Sequence, residues 1–127
     1  MSDPAVAPAD AKKALYQAMA LGGVTVVPSY VASDLANVRR AFPNDAAFAE
    51  AVVAVAKEIM IARRSPSTHG VPVQHELSGW RRSAFESAQG ANLRLVFRPS
   101  AAGGLEILAF GDRNFPDTVY FTAKNRV

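Results

Sequence analysis

Apolar and polar side chains alternate in the C-terminal half of the chain, as they do in strands. Between residues 92 and 98, one face would carry apolar groups and the other would carry two arginines around a valine. In chain order these positions are Leu93, Arg94, Leu95, Val96, Phe97 and Arg98. Residues 105–112 are almost wholly apolar, as in a strand covered on both faces. The small residues at 100–104 separate the two runs, so the pattern predicts a β-hairpin.

The N-terminal half shows helical spacing instead. The clearest helix covers residues 45–63, and its predicted core stripe is Phe48, Val52, Val55 and Ile59. A second helix, capped by Ser29 or Ser33, should reach Phe42 and end at Pro43. Its apolar stripe is Leu35, Val38 and Phe42. The short break between the two helices predicts an antiparallel helix hairpin.

A further helix is predicted before these two. Asp10 can cap a helix over residues 11–21, which the glycines at 22 and 23 end. This helix could pack on the domain or form a mobile arm. Residues 24–27, which are rich in valine, predict a short strand. We therefore divide the chain into an N-terminal extension, residues 1–23, and a main domain, residues 24–127.

The remaining segments complete the predicted sheet. Residues 73–77 and 80–85 both have strand composition, and a loop at 65–72 precedes them. Residues 117–127 favour a strand by propensity, although Asp117 could equally open a helix. The predicted fold class is α+β. An N-terminal strand and an antiparallel helix hairpin pack on a three- to four-stranded antiparallel sheet, with an extra N-terminal helix and one sheet face partly open.

Composition narrows the class of protein. The chain has 127 residues, half of them apolar, so it can bury one hydrophobic core without needing disulfides or a bound metal. There is no cysteine, which excludes disulfides and thiolate metal sites. No apolar run approaches the ~20 residues of a membrane span, and no basic segment precedes an apolar one near the N-terminus. We therefore expect a cytoplasmic location without membrane association.

Positive charge is concentrated in the second half. Residues 1–60 carry a net charge of −1 and residues 61–127 a net charge of +4. Eight of the nine cations in the second half are arginines, whose planar donors suit phosphate and carboxylate alike. A solvated arginine-rich surface would explain the same composition.

The candidate chemistry rests on these cations, because other familiar sites are missing. The sequence has no phosphate-binding glycine loop and no nucleophile elbow, and His69 and His75 alone make a poor metal site. The cations and one tyrosine near the predicted sheet are Arg81, Arg82, Arg94, Arg98, Arg113, Tyr120, Lys124 and Arg126. Such a set could stabilise charge on RNA phosphate during cleavage. Alternatively, Arg94 and Arg98 could form surface ion pairs with Glu86 and Glu106.

Three short motifs resemble the RelE/ParE superfamily of bacterial toxins over residues 24–127. They are Arg94-Leu-Val-Phe-Arg98, the run from Leu105 to Arg113 ending in Gly-Asp-Arg, and Val119-Tyr120 with Ala123 and Arg126. The run Trp80-Arg-Arg82-Ser-Ala-Phe85 resembles the YhaV branch in particular. The resemblance implies a RelE-like fold and the toxin of a toxin–antitoxin system, acting as an mRNA-cleaving endoribonuclease.

The resemblance also implies residue roles and partners. Arg94, Arg113 and Tyr120 match RNA-facing positions of the family, and Arg82 is added as a fourth catalytic candidate. Arg81, Arg98, Lys124 and Arg126 are then RNA-binding candidates. Related toxins carry lysines on the preceding strand, where this chain has Arg81, Arg82 and Ser83. No metal or other cofactor is implied.

The expected partners are a cognate antitoxin and mRNA, free or on the ribosome, within a homodimer or a toxin–antitoxin hetero-oligomer. Two alternatives stay open. One is a ParE-type toxin that inhibits a topoisomerase through the helix hairpin. The other is a non-enzymatic binding protein of the same fold, in which the N-terminal helix occupies the sheet.

Overall fold

Four α-helices and a five-stranded mixed sheet make up the computed structural model, which describes residues 6–114 and 119–127. The elements in chain order are α1 (Pro8–Met19), β1 (Val24–Thr25), α2 (Pro28–Ala41), α3 (Asp45–Arg64), β2 (Val71–Pro72), a 3-10 helix (His75–Leu77), β3 (Arg81–Glu86), β4 (Asn92–Pro99), β5 (Leu105–Asp112) and α4 (Val119–Lys124). The α+β class predicted from the sequence is confirmed.

The strands lie in the order β1-β5-β4-β3-β2. The predicted hairpin of β4 and β5 is confirmed, and β3 and β2 extend it antiparallel. β1 joins the other edge parallel to β5. The prediction of a three- to four-stranded antiparallel sheet was therefore wrong. β1 and β2 have two residues each, too few for an alternating pattern to reveal their pairing.

The parallel pairing of β1 depends on a close backbone approach between two glycines. A Cβ atom on Gly104 would lie 2.1 Å from the carbonyl oxygen of Gly23, whereas one on Gly22 would meet nothing within 4 Å. We expect Gly104→Ala to lower the free energy of unfolding by about 1–3 kcal/mol, as overpacking does. Urea unfolding measures this, and Gly22→Ala, in the connection between α1 and β1, is the matched control. Equal stability of the two variants would contradict the predicted clash.

The larger core lies on one face of the sheet. All four predicted stripe residues of α3 (Phe48, Val52, Val55 and Ile59) are at most 2% exposed. They share this core with α1, with α2 and with the alternating apolar residues of β4. The predicted division of β4 into two faces is confirmed, because its odd-numbered apolar residues join this core and Val96 does not.

α1 belongs to this core and is not a mobile arm. Its residues Ala11 and Leu15 are fully buried, and α1 packs extensively along α3. α2 lies chiefly against β5 and contacts α3 less. The helix layer is therefore built on the α1–α3 pair, and not on an isolated α2–α3 hairpin as predicted. The boundary drawn after residue 23 stays a prediction.

A smaller core covers the opposite face of the sheet, which the sequence predicted to be partly open. Val96, Leu108 and Ala109 pack there beneath two residues before β3 and two on α4. The covering residues are Leu77, Trp80, Val119 and Ala123. A register shift beside Val96 explains why two consecutive β5 residues point to this face.

One predicted strand is absent, and one segment left ambiguous between strand and helix is helical over its described part. The strand predicted at residues 73–77 is wrong, because His75–Leu77 form a 3-10 helix. The ambiguous C-terminal segment forms α4 over Val119–Lys124, while residues 115–118 lie outside the described residues. Within residues 6–114 and 119–127, no helix combines the length and apolar character that a bilayer crossing requires.

Candidate functional site

Three arginines share the sheet face that α4 covers. Arg94 and Arg98 flank Val96 on this face of β4, and Arg82 of β3 pairs directly with Val96. Arg82 is therefore the diagonal neighbour of both β4 arginines, at about 7–8 Å on an antiparallel pair. Two separate strands thus bring cations to one surface, which we call the arginine face and define as Arg82, Arg94 and Arg98.

α4 places an aromatic hydroxyl against the arginine face. Nη1 of Arg82 donates a hydrogen bond to the Tyr120 hydroxyl at 3.3 Å, and the guanidinium carbon lies 5.8 Å from the centre of the Tyr120 ring. The apolar residues Val119 and Ala123 anchor α4 in the smaller core. Tyr120 is partly exposed beside them. The Arg82 guanidinium and the Tyr120 hydroxyl therefore lie side by side at this end of the arginine face.

Arg94 is held between small residues. Its register partners on β3 and β5 are Ala84 and Gly111, so the guanidinium is not crowded on either side. Nη1 donates to the carbonyl of Leu93 at 2.8 Å, while the buried Nε has no hydrogen-bond partner. An unsatisfied buried donor costs about 1–3 kcal/mol. Arg94 therefore has one buried donor without a partner, and it forms no pair with Glu86.

Arg98 is more fully engaged. It donates two hydrogen bonds to the Glu106 carboxylate, at 2.8 and 3.3 Å, and its guanidinium lies 4.1 Å from the centre of the Trp80 ring. The surface ion pair that the sequence offered as an alternative is thus present here. Arg113 is exposed just beyond β5, and its amide donates to the Asn92 carbonyl at the Arg94 end of the hairpin.

A cleft of about 380 Å³ opens beside Arg82 and Tyr120. Lys124 and residues 72–77 line the rest of it. Lys124 lies 3.7 Å from the Glu76 carboxylate. The hydrogen bond from its own backbone amide, and then the charge of Lys124, lower the pKa of Glu76. The cleft therefore combines two cations, a phenol and an ionised carboxylate.

His75, which also lines this cleft, is the functional candidate that sequence reasoning missed. Its φ of +58° is the only positive value among the non-glycine residues described. This backbone conformation is strained for an L-residue and recurs at functional sites. The sequence offered His75 only as a metal ligand, and the described residues contain no cluster of three or more metal-ligating side chains. No sequence signal marks a positive φ at a histidine.

Two of the eight candidate residues are occupied by structural contacts away from the cleft. Arg81 points to the opposite side of the sheet from Arg82 and donates to the carbonyls of His69 and Gly70. It therefore holds the loop before β2 in place.

Arg126 is buried in an ion pair. Its two terminal nitrogens donate to Asp34 at 2.8 and 2.9 Å, and the two side chains are 7% and 3% exposed. It also donates to the carbonyl of Leu108 and lies 4.3 Å from the centre of the Tyr30 ring. Burial raises the pKa of Asp34, and the hydrogen bonds from Arg126 oppose that shift.

The structure thus brings Arg82 and Tyr120 into contact, with Lys124 in the same cleft, and places Arg94 diagonally from Arg82 on the same sheet face. It places Arg98 in an ion pair on the same face and uses Arg81 and Arg126 for structure. Comparison with protein-family models, with curated proteins and with solved structures found no match for this chain.

Proposed function

We propose that this protein is the RNA-cleaving toxin of a toxin–antitoxin pair and acts as a metal-independent endoribonuclease on mRNA. The observation that carries the proposal is the contact of Arg82 with the Tyr120 hydroxyl, on the sheet face that also carries Arg94. The motif resemblance to the RelE/ParE superfamily supports the same function. The substrate would be reached in the cytoplasm.

In this proposal the arginine face binds the scissile phosphate. The 2′-oxygen of the ribose attacks phosphorus, the bond from phosphorus to the 5′-oxygen breaks, and a 2′,3′-cyclic phosphate remains. Negative charge grows on the non-bridging oxygens in the transition state, where fixed donors stabilise it most. Arg94 and Arg82 supply these donors, and Arg113 approaches the phosphate from beyond β5.

Proton transfer is assigned to the cleft beside the arginine face. His75 takes the proton from the 2′-hydroxyl, and Tyr120 gives a proton to the departing 5′-oxygen. The hydrogen bond from Arg82 holds the Tyr120 hydroxyl in position for this transfer. Lys124 contributes charge to RNA binding. The requirement for a 2′-hydroxyl makes RNA, and not DNA, the substrate.

The test is cleavage of a defined RNA by purified protein, with product ends identified as cyclic phosphate. We expect Arg94→Ala to lower the cleavage rate by about 10²–10³-fold, as loss of one transition-state donor does. Arg40→Ala, at an exposed position on α2, is the matched control and should cleave normally. Unfolding curves of both variants show whether the fold is intact.

Normal cleavage by Arg94→Ala would remove the proposal. So would growth arrest on inducible expression with intact cellular RNA in primer-extension assays. That second outcome would favour the topoisomerase-binding alternative, for which α3 presents Met60 and Ile61 at 45% and 47% exposure. Substitutions of these two residues by serine would then abolish toxicity.

A further inference from the structure

The outer edge of β3 is covered by another strand over only part of its length. β4 pairs with every residue from Arg81 to Glu86, but β2 pairs with Arg81 and Arg82 alone. Beyond β2, the amide of Val73 donates to the carbonyl of Trp80. Because outward-facing backbone groups alternate along a strand, Arg82, Ala84 and Glu86 present theirs to this edge.

The backbone groups of Ala84 and Glu86 therefore have no strand partner in the described part of the chain. Both residues are exposed. Residues 83–86 also lack the lysine or proline with which proteins commonly protect a sheet edge. Such a row of donors and acceptors is a template for one added strand.

A groove runs beside this open edge on the α3 side. Its volume is about 640 Å³, and Phe85 and Glu86 form its β3 wall. Val53 and Ile61 belong to its α3 wall. Ile61 is 47% exposed. A strand added to β3 would send every second side chain into this groove.

The groove also contains an unused acceptor. Oε2 of Glu50 is buried and has no hydrogen-bond partner. Glu86 adds a second carboxylate, and Lys57 is the one cation among the described residues that line the groove. Glu58 also lines the groove, but its carboxylate already accepts a hydrogen bond from Nε2 of His69 at 3.1 Å. A buried carboxylate oxygen is best satisfied by a charged donor.

We propose that the open edge of β3 and this groove bind an extended segment of a partner protein, with a basic and an apolar side chain on alternate residues facing α3. The segment pairs with the backbone of Ala84 and Glu86. Its Lys or Arg reaches Glu50, and its apolar residue covers Ile61. The proposal does not depend on RNA cleavage, so either can fail alone.

The test uses an acetylated, amidated nine-residue peptide, Thr-Arg-Thr-Ile-Thr-Arg-Thr-Ile-Thr, titrated into the full chain and followed by NMR. We expect the amides of Ala84 and Glu86 to shift and to exchange more slowly with solvent. Ala84→Pro removes one outward amide, which an edge strand tolerates, and should weaken binding by about tenfold or more. Ala84→Val keeps the amide and is its matched control. Glu50→Gln should also weaken binding, while Glu76→Gln on the opposite face should not.

Several results would overturn the proposal. One is the absence of peptide binding, and another is equal binding to Ala84→Pro and Ala84→Val. Equal binding of a peptide with Glu in place of Arg would remove the role of Glu50. Protection of the Ala84 and Glu86 amides that grows with protein concentration, without peptide, would assign the edge to a second copy of this chain.

Discussion

Arg126→Met is expected to lower the free energy of unfolding by about 3–5 kcal/mol, the cost of removing one partner of a buried ion pair. The Asp34 side chain, which is 3% exposed, would then lose its cation and keep only the amide of Phe110 as a hydrogen-bond donor. The loss should be large because two helices and β5 meet at this pair. Urea unfolding at neutral pH measures the difference.

Two further variants separate this effect from the loss of any surface cation. Lys124→Met removes an exposed pair with Glu76, and such pairs contribute about 0–1 kcal/mol. Replacing both partners together, as Asp34→Leu with Arg126→Met, should recover most of the stability, because no charge is then buried alone. A single Arg126→Met variant as stable as Lys124→Met would contradict the structural role given to Arg126.

Tyr120→Phe is expected to lower the rate of RNA cleavage by about 10²–10⁴-fold while the fold is retained. The substitution removes the hydroxyl that accepts from Arg82 and keeps the ring that packs beside the smaller core. Positioned proton transfer contributes a factor of that size. Single-turnover cleavage with saturating protein measures the chemical step and not RNA binding.

The matched control is Tyr16→Phe, because Tyr16 is 51% exposed on α1. It should cleave at the normal rate. His75→Gln should lower the cleavage rate as Tyr120→Phe does. The two losses should not add in the double variant, because both side chains would serve the same reaction. A Tyr120→Phe protein that cleaves normally would leave Tyr120 as a packing residue and remove it from the proposed mechanism.

The candidate site was only partly predictable. The alternation in β4 placed Arg94 and Arg98 on one face, because strand geometry sends successive side chains to opposite sides. The same rule puts Arg81 and Arg82 on opposite faces of β3, but it does not say which of them shares the face of Arg94. That depends on the register between β3 and its neighbouring strands. The sequence left open whether Arg94 and Arg98 would bind a ligand or pair with Glu86 and Glu106, and only the Arg98–Glu106 pair forms.

The sequence alone determined the local elements: the stripe of α3, the helix ends set by proline and glycine, and the hairpin of β4 and β5. These depend on periodicity and turn chemistry within short stretches of chain. Tertiary structure alone decided the parallel pairing of β1, the existence of β2, the cover that α4 gives the sheet, and the ion pair of Arg126. Whether a cation stabilises the fold or can bind a ligand depends on the side chains that surround it. For Arg126 that side chain is Asp34, which lies 92 positions away in the chain.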